Sequence, residues 1–116
     1  MAVRGDQTLD PICIDGGRAV ITPRGAVDRD TQPHLYAAVD SLPASLTTVT
    51  RDLCKVTFMD SAGLHLLEHQ HRILHTRGGT LQLNGPQPQP LHLLHLAAHL
   101  YPAGPWLYLL LTTSVA

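Results

Sequence analysis

Apolar positions along the chain change period several times, and each change predicts an element. Leu9-Asp-Pro-Ile-Cys-Ile-Asp15 predicts a short edge strand, since Pro11 is tolerated only where no ladder donor is required. Gly16-Gly17 predicts a hairpin-type turn, and Arg18 to Arg24 a second strand. Asp30 or Thr31 can cap a helix in which Leu35, Ala38, Val39 and Leu42 share one face, until Pro43 stops it. Thr47 to Leu53, rich in β-branched residues, reads as a strand, and Val56 to Met59 as a short apolar run after it.

The spacing then predicts a helix over about Ser61 to Thr76. Leu64, Leu66, Leu67, Ile73 and Leu74 form its apolar half, with His65, Glu68, His69, Arg72 and Thr76 opposite. Gly78-Gly79 closes it in the manner of a C-terminal cap. Thr80 to Leu83 is a further strand, Asn84-Gly-Pro86 a turn, and a third helix runs from near Pro90 to about Leu100. Trp106 to Leu111 is a final strand or an apolar helix. The order ββαβαβα plus this last element predicts an α/β fold with a mixed sheet covered by helices on at least one face.

Composition narrows the function classes. At 116 residues the chain has the length of one domain, and 44% hydrophobic with 15% charged residues is ordinary for a folded protein. A net charge of −1, with 8 Lys and Arg residues spread along the chain, argues against a nucleic-acid partner or a basic membrane-surface helix. The N-terminus carries no apolar run suited to a signal peptide, and Trp106 to Leu111 falls far short of the ~20 residues of a membrane span. Cytoplasm is the expected location. Cys13 and Cys54 lack metal or redox spacing and are expected as reduced, buried small hydrophobes; Lys55 beside Cys54 is the one feature that would lower a thiol pKa.

The stretch most informative about chemistry is Asp52-Leu-Cys-Lys-Val-Thr-Phe-Met-Asp-Ser-Ala-Gly-Leu64. It sets an acidic, a hydroxyl and two small residues where a helix opens, so Ser61 meets free N–H groups and the positive end of the dipole. A phosphate there would be accepted by the helix and would repel a close-packed partner. On local chemistry alone, Asp60 or Ser61 is simply a helix cap. No Glu or Gln stands three residues after either, so there is no capping box, and Gly63 is a poor residue for a first turn unless something approaches closely, such as a partner.

Val56-Thr-Phe-Met-Asp-Ser-Ala-Gly-Leu64 resembles the signature turn of STAS domains, the family of anti-sigma factor antagonists and sulphate-transporter tails. Arg24-Gly-Ala-Val-Asp28 is similar to the family's Gly-x-x-Asp element ending its second strand, Thr31 and its helix to the next element, and Arg77-Gly-Gly-Thr-Leu-Gln-Leu83 to the glycine turn and strand after the second helix. The resemblance is best over residues 19–100 and implies one STAS-like domain over 1–116, with a mixed sheet of about four to five strands under about three to four helices. It implies a non-enzymatic switch without cofactor or metal. Ser61 would be phosphorylated by an anti-sigma factor with serine kinase activity. The unphosphorylated form would bind that factor and free a sigma factor; the phosphorylated form would not. Asp28 and Asp60 would be acidic neighbours orienting Ser61, and Asp28, Thr31, Asp60, Ser61, Ala62, Gly63 and His65 would form the partner surface.

Several features depart from the resemblance or compete with it. Thr50 and Arg51 occupy strand positions usually apolar in the family, which predicts a less buried strand, and Gly85-Pro-Gln-Pro-Gln-Pro90 and Pro102 to Pro105 are unusual. Eight histidines include the i,i+4 pairs His65/His69 and His71/His75 and the stripe His92, His95, His99, a spacing that suits zinc or copper, although solvated surface histidines fit it better. No nucleophile elbow, phosphate-binding loop or dinucleotide fingerprint occurs. The competing functions are a STAS module of a lipid-transport, sensory or nucleotide-binding complex not governed by phosphorylation and, further off, a histidine-based metal-binding or small hydrolytic protein.

Overall fold

The computed structural model describes residues 12–40 and 42–113, so Leu9 to Pro11 of the expected first strand lie outside the described residues. A tight turn at Gly16-Gly17 joins β1 (Ile12–Asp15) to β2 (Arg18–Ile21), which pair antiparallel. The strand expected to run on to Arg24 ends at Ile21. Pro23 removes a ladder donor, and the chain resumes as a separate strand, β3 (Gly25–Val27), before α1 (Gln32–Asp40). The next stretch has the same plan: β4 (Thr48–Asp52), then the short β5 (Val56–Met59), then α2 (Ser61–Thr76), with β6 (Thr80–Asn84) after it. Strand, short strand and helix therefore occur twice.

This repetition builds two sheets. Four strands in the order β1-β2-β4-β6 form the larger, with β2, β4 and β6 parallel, while β3 and β5 pair parallel in a two-stranded sheet of their own. The second sheet is the main departure from the order inferred from the sequence. Two further helices, α3 (Pro88–Leu100) and α4 (Trp106–Leu111), complete the described chain and settle the final element as helical. Ala19 and Ile21, Val49 and Arg51, and Leu81 and Leu83 alternate inward from three neighbouring strands and are all buried. Leu66, Leu67 and Leu74 of α2 belong to the same core, each contributing roughly 1.5–3 kcal/mol by leaving water.

Three expectations are corrected by this architecture. Arg51 does not loosen its strand. It is only 1% exposed, and its Nε donates to Gln70 Oε1 at 2.8 Å, tying the middle of α2 to the central strand. Both cysteines are exposed: Cys13 lies on the edge strand β1, and Cys54 in the turn between β4 and β5. The third helix starts at Pro88, two residues earlier than expected, because a proline at the first helical position has no N–H to lose.

The Gln-Pro-Gln-Pro run thereby acquires a structural role. Gln89 Nε2 donates to the Met59 carbonyl and Gln89 Oε1 accepts from the Met59 N–H, both at 2.8 Å, so one side-chain amide serves β5 as a neighbouring strand would. Gln87 Nε2 adds a bond to the Cys54 carbonyl at 2.8 Å. Together they hold the start of α3 against β5 and the turn before it.

Close approach to the side chain of the same Met59 explains Gly63. The residue is buried in the first turn of α2, and a Cβ there would collide with Met59 Cγ, lie 2.8 Å from Met59 Sδ and 3.2 Å from Val27 Cγ1. The glycine is required by packing inside the domain, not by a partner. At the far end of α2, Gly78 takes the left-handed φ of 73° that lets the Gly79 N–H reach the Leu74 carbonyl at 2.7 Å.

Gly63→Ala should destabilise the domain by about 1–3 kcal/mol despite alanine's better helix propensity, because the well-packed Met59 has to give way. Gln89→Ala should cost about 1–2 kcal/mol through the two lost bonds to Met59. Urea unfolding checks both. The midpoint should fall at unchanged m-value, and a midpoint equal to that of the parent would refute either assignment.

Candidate functional site

The repeated strand-strand-helix plan brings two aspartates to equivalent positions. Val27 and Met59 are partners in the β3–β5 register, and the residue after each, Asp28 and Asp60, begins the stretch that leads into the next helix. The carboxyl ends of parallel strands are where α/β folds ordinarily present their sites.

Asp60 is the N-cap of α2, its Oδ1 accepting from the Ala62 N–H at 2.8 Å and its carbonyl from the Gly63 N–H at 2.9 Å. Asp28 instead organises the turn ahead of α1, which begins four residues later at Gln32. Its Oδ1 accepts from the N–H groups of Asp30 at 3.0 Å and Thr31 at 3.2 Å, while its own N–H donates to Thr31 Oγ1 at 3.0 Å. Thr31 Oγ1 also lies 3.2 Å from the Ala26 carbonyl, so this turn is knitted within itself. Asp60 N–H reaches the Val27 carbonyl at 3.4 Å and links the two turns. Both carboxylates are engaged by backbone, and neither bonds the Ser61 hydroxyl among the described residues. Among the described contacts Asp60 caps α2 and Asp28 closes the turn before α1.

The choice between Asp60 and Ser61 as cap is thus decided for Asp60. Ser61 is the first helical residue and is exposed, its hydroxyl unused for capping. Ala62 and Gly63 beside it are buried, so their share in any partner surface is indirect: they set how α2 sits and leave Ser61 and the exposed His65 in front.

In front of Ser61 lies a cleft of about 460 Å³. Ser61, Leu64, His65 and Glu68 form the α2 wall, and Tyr101, Ala103, Gly104 and Trp106 the other. That second wall was missed in the sequence. The only tryptophan of the chain stands in an apolar run, but nothing local indicates that it and the segment before it face the start of α2. A second cavity, of about 370 Å³, continues along α2 and is lined by Glu68, His71, Arg72, His75 and Pro105 among others.

The histidines are not arranged as the spacing suggests. His69 turns away from His65, packing on Tyr36 with ring centroids 4.8 Å apart and standing 3.5 Å from Asp40 Oδ1. His71 and His75 do stack, at 5.8 Å, and His71 also meets Tyr108 of α4 at 6.1 Å. Burial, and then the neighbouring His75, push the His71 pKa below the usual imidazole value, against a smaller opposing pull from Glu68. No three metal-ligating groups converge among the described residues. At Cys54 the expected lowering is reversed. The Asp52 carboxylate, by hydrogen bonding first, raises the thiol pKa and outweighs Lys55.

No helix among the described residues is long and apolar enough to cross a membrane. No curated protein matches the chain. Among solved structures it is similar to the anti-sigma factor antagonist SpoIIAA in its unphosphorylated form, with 21% identity, a TM-score of 0.66, and coverage of 92% of this chain and 88% of that one. It is similar to the Bacillus cell fate determinant SpoIIAA in its phosphorylated form at 19% identity and a TM-score of 0.65, covering 92% and 90%. A candidate anti-sigma factor antagonist of Thermotoga maritima superposes at 16% identity and a TM-score of 0.72, covering 78% and 79%. At such identities the likeness is one of fold. A family model described as Mlab, STAS domain, matches residues 12–99, most of the chain and the whole of both strand-strand-helix units. The signature turn, the paired aspartates and this match agree, and the chain belongs to the STAS domain family.

Proposed function

We propose that this domain is an anti-sigma factor antagonist, a non-enzymatic cytoplasmic switch formed by residues 1–116. Unphosphorylated, it binds an anti-sigma factor that is also a serine kinase, through the surface around Ser61, His65 and the Asp28–Thr31 and Asp60 turns, and so releases a sigma factor. The kinase transfers the γ-phosphoryl group of ATP to Ser61 Oγ. A P–O bond forms there, ADP leaves, and the hydroxyl proton passes to a base of the kinase. The modified form no longer binds.

One observation carries this reading. Ser61 is exposed at the first position of α2 while Asp60 supplies the cap, so the hydroxyl is free of structural duty. A phosphoryl group would add roughly −1.5 to −2 charges at the positive end of a helix, where the fold tolerates it and a docked surface does not. The near-equal fit of this chain to both forms of SpoIIAA supports a switch that leaves the fold in place.

A second reading has its own support, because the matching family model is described by Mlab and not by an antagonist. On that reading the domain is a STAS module of another complex and Ser61 stays unmodified.

Incubation with candidate anti-sigma kinases of the source organism and ATP, followed by intact mass, separates the two. A phosphate-sized gain absent from Ser61→Ala is expected, together with at least about a tenfold loss of kinase affinity in Ser61→Asp. No gain with any candidate, with undiminished binding by Ser61→Asp, would favour the unmodified module.

A further inference from the structure

We infer that His65 is the intramolecular counter-ion of a phosphoryl group on Ser61. This rests on the reading of Ser61 as the acceptor and adds a residue to it. Ser61 and His65 are one helical turn apart on α2, a spacing that sets side chains about 5–6 Å apart at Cβ. Both are exposed, and both line the same cleft. A phosphoryl oxygen on Ser61 therefore enters a space that already holds the imidazole, with Leu64, Tyr101 and Trp106 limiting its other directions.

The charges around the pair favour this partner over any other in the cleft. Glu68 lies three residues beyond His65 on the same wall and, as a carboxylate, repels phosphate. Asp60 is held by the Ala62 N–H, and His69 is turned to Tyr36 and Asp40 of α1. His34 is the remaining titratable group of α1, while β5 and β6, which also pack on α2, carry none. Tyr101 is the one titratable group on the opposite wall. His65 is accordingly the only side chain of the cleft wall able to carry a positive charge opposite a phosphoserine.

Below neutrality the imidazolium would neutralise part of the phosphoryl charge and fold it along the helix into the cleft. Above neutrality the dianion would stand uncompensated. The same modification would then exclude a partner more strongly at pH 8 than at pH 6.

Phosphoserine installed at position 61 during translation of the full chain tests this without any kinase. The second ionisation of the phosphoryl group is followed by phosphorus NMR from pH 4.5 to 8.5 in the parent, His65→Gln and His65→Lys proteins. The expected midpoint in the parent is about half a pH unit below that of His65→Gln, modest because the pair is exposed, and His65→Lys keeps the midpoint low. Coincident midpoints in the parent and His65→Gln, or a His65→Lys midpoint as high as that of His65→Gln, would overturn the assignment. Because the phosphoryl group is built in, failure of every kinase to modify Ser61 sinks the proposed function and leaves this titration to decide the pairing alone.

Discussion

Everything at the candidate site depends on how closely the first turn of α2 lies against the ends of β3 and β5. With hydrogen at Gly63 the helix backbone settles on Met59 and Val27; a methyl group there has no room. That approach sets the height of the turn. It lets Asp60 reach both the Val27 carbonyl and the Ala62 N–H, and it buries Ala62 while pointing Ser61 outward. Met59 is fixed from its other side by the Gln89 amide, so the surface that receives α2 is itself held by hydrogen bonds. A packing constraint in the interior thus determines what the surface presents.

The repeated strand-strand-helix unit gives this arrangement its economy. Asp28 and Asp60 occupy matching places after paired residues of a parallel strand pair, and each carboxylate accepts from backbone N–H groups just after it. The two turns differ in the next hydroxyl along the chain. After Asp28 the turn closes on itself through the Thr31 hydroxyl. After Asp60 the hydroxyl of Ser61 is left facing a cleft. One copy of the unit completes a turn, and the other leaves a hydroxyl at a helix start available for chemistry.

How much of this could be read in the sequence depends on how local each cause is. The bounds of α2 come from an amphipathic period, an acidic cap and a glycine pair, and the structure returns them unchanged at Ser61 and Thr76. The separate β3–β5 sheet and the reach of Gln89 to Met59 depend on segments about thirty residues apart, beyond any periodicity argument. Arg51 reads as a polar intrusion because its partner, Gln70, belongs to another element. The cysteines were misjudged because average burial of the residue type was applied to an edge strand and a tight turn. At the candidate site the serine and its aspartate were legible, but which of them caps the helix was not, and neither was the wall built by Tyr101 and Trp106.

The order of aspartate before serine also carries a physical consequence. An N-cap side chain must accept a hydrogen bond from the first turn, and a modification at that atom alters the bond that starts the helix. With Asp60 as cap, the hydroxyl stands one residue further on, still within the positive end of the dipole but outside the capping bond. Charge added at Ser61 therefore changes what a partner meets without removing what holds α2. Were the two residues exchanged, the capping oxygen and the modified oxygen would be the same atom, and switching would trade against helix stability. Separating them by one position, with Gly63 keeping the turn tight behind them, would let a charge be added at the surface without touching the bond that starts the helix.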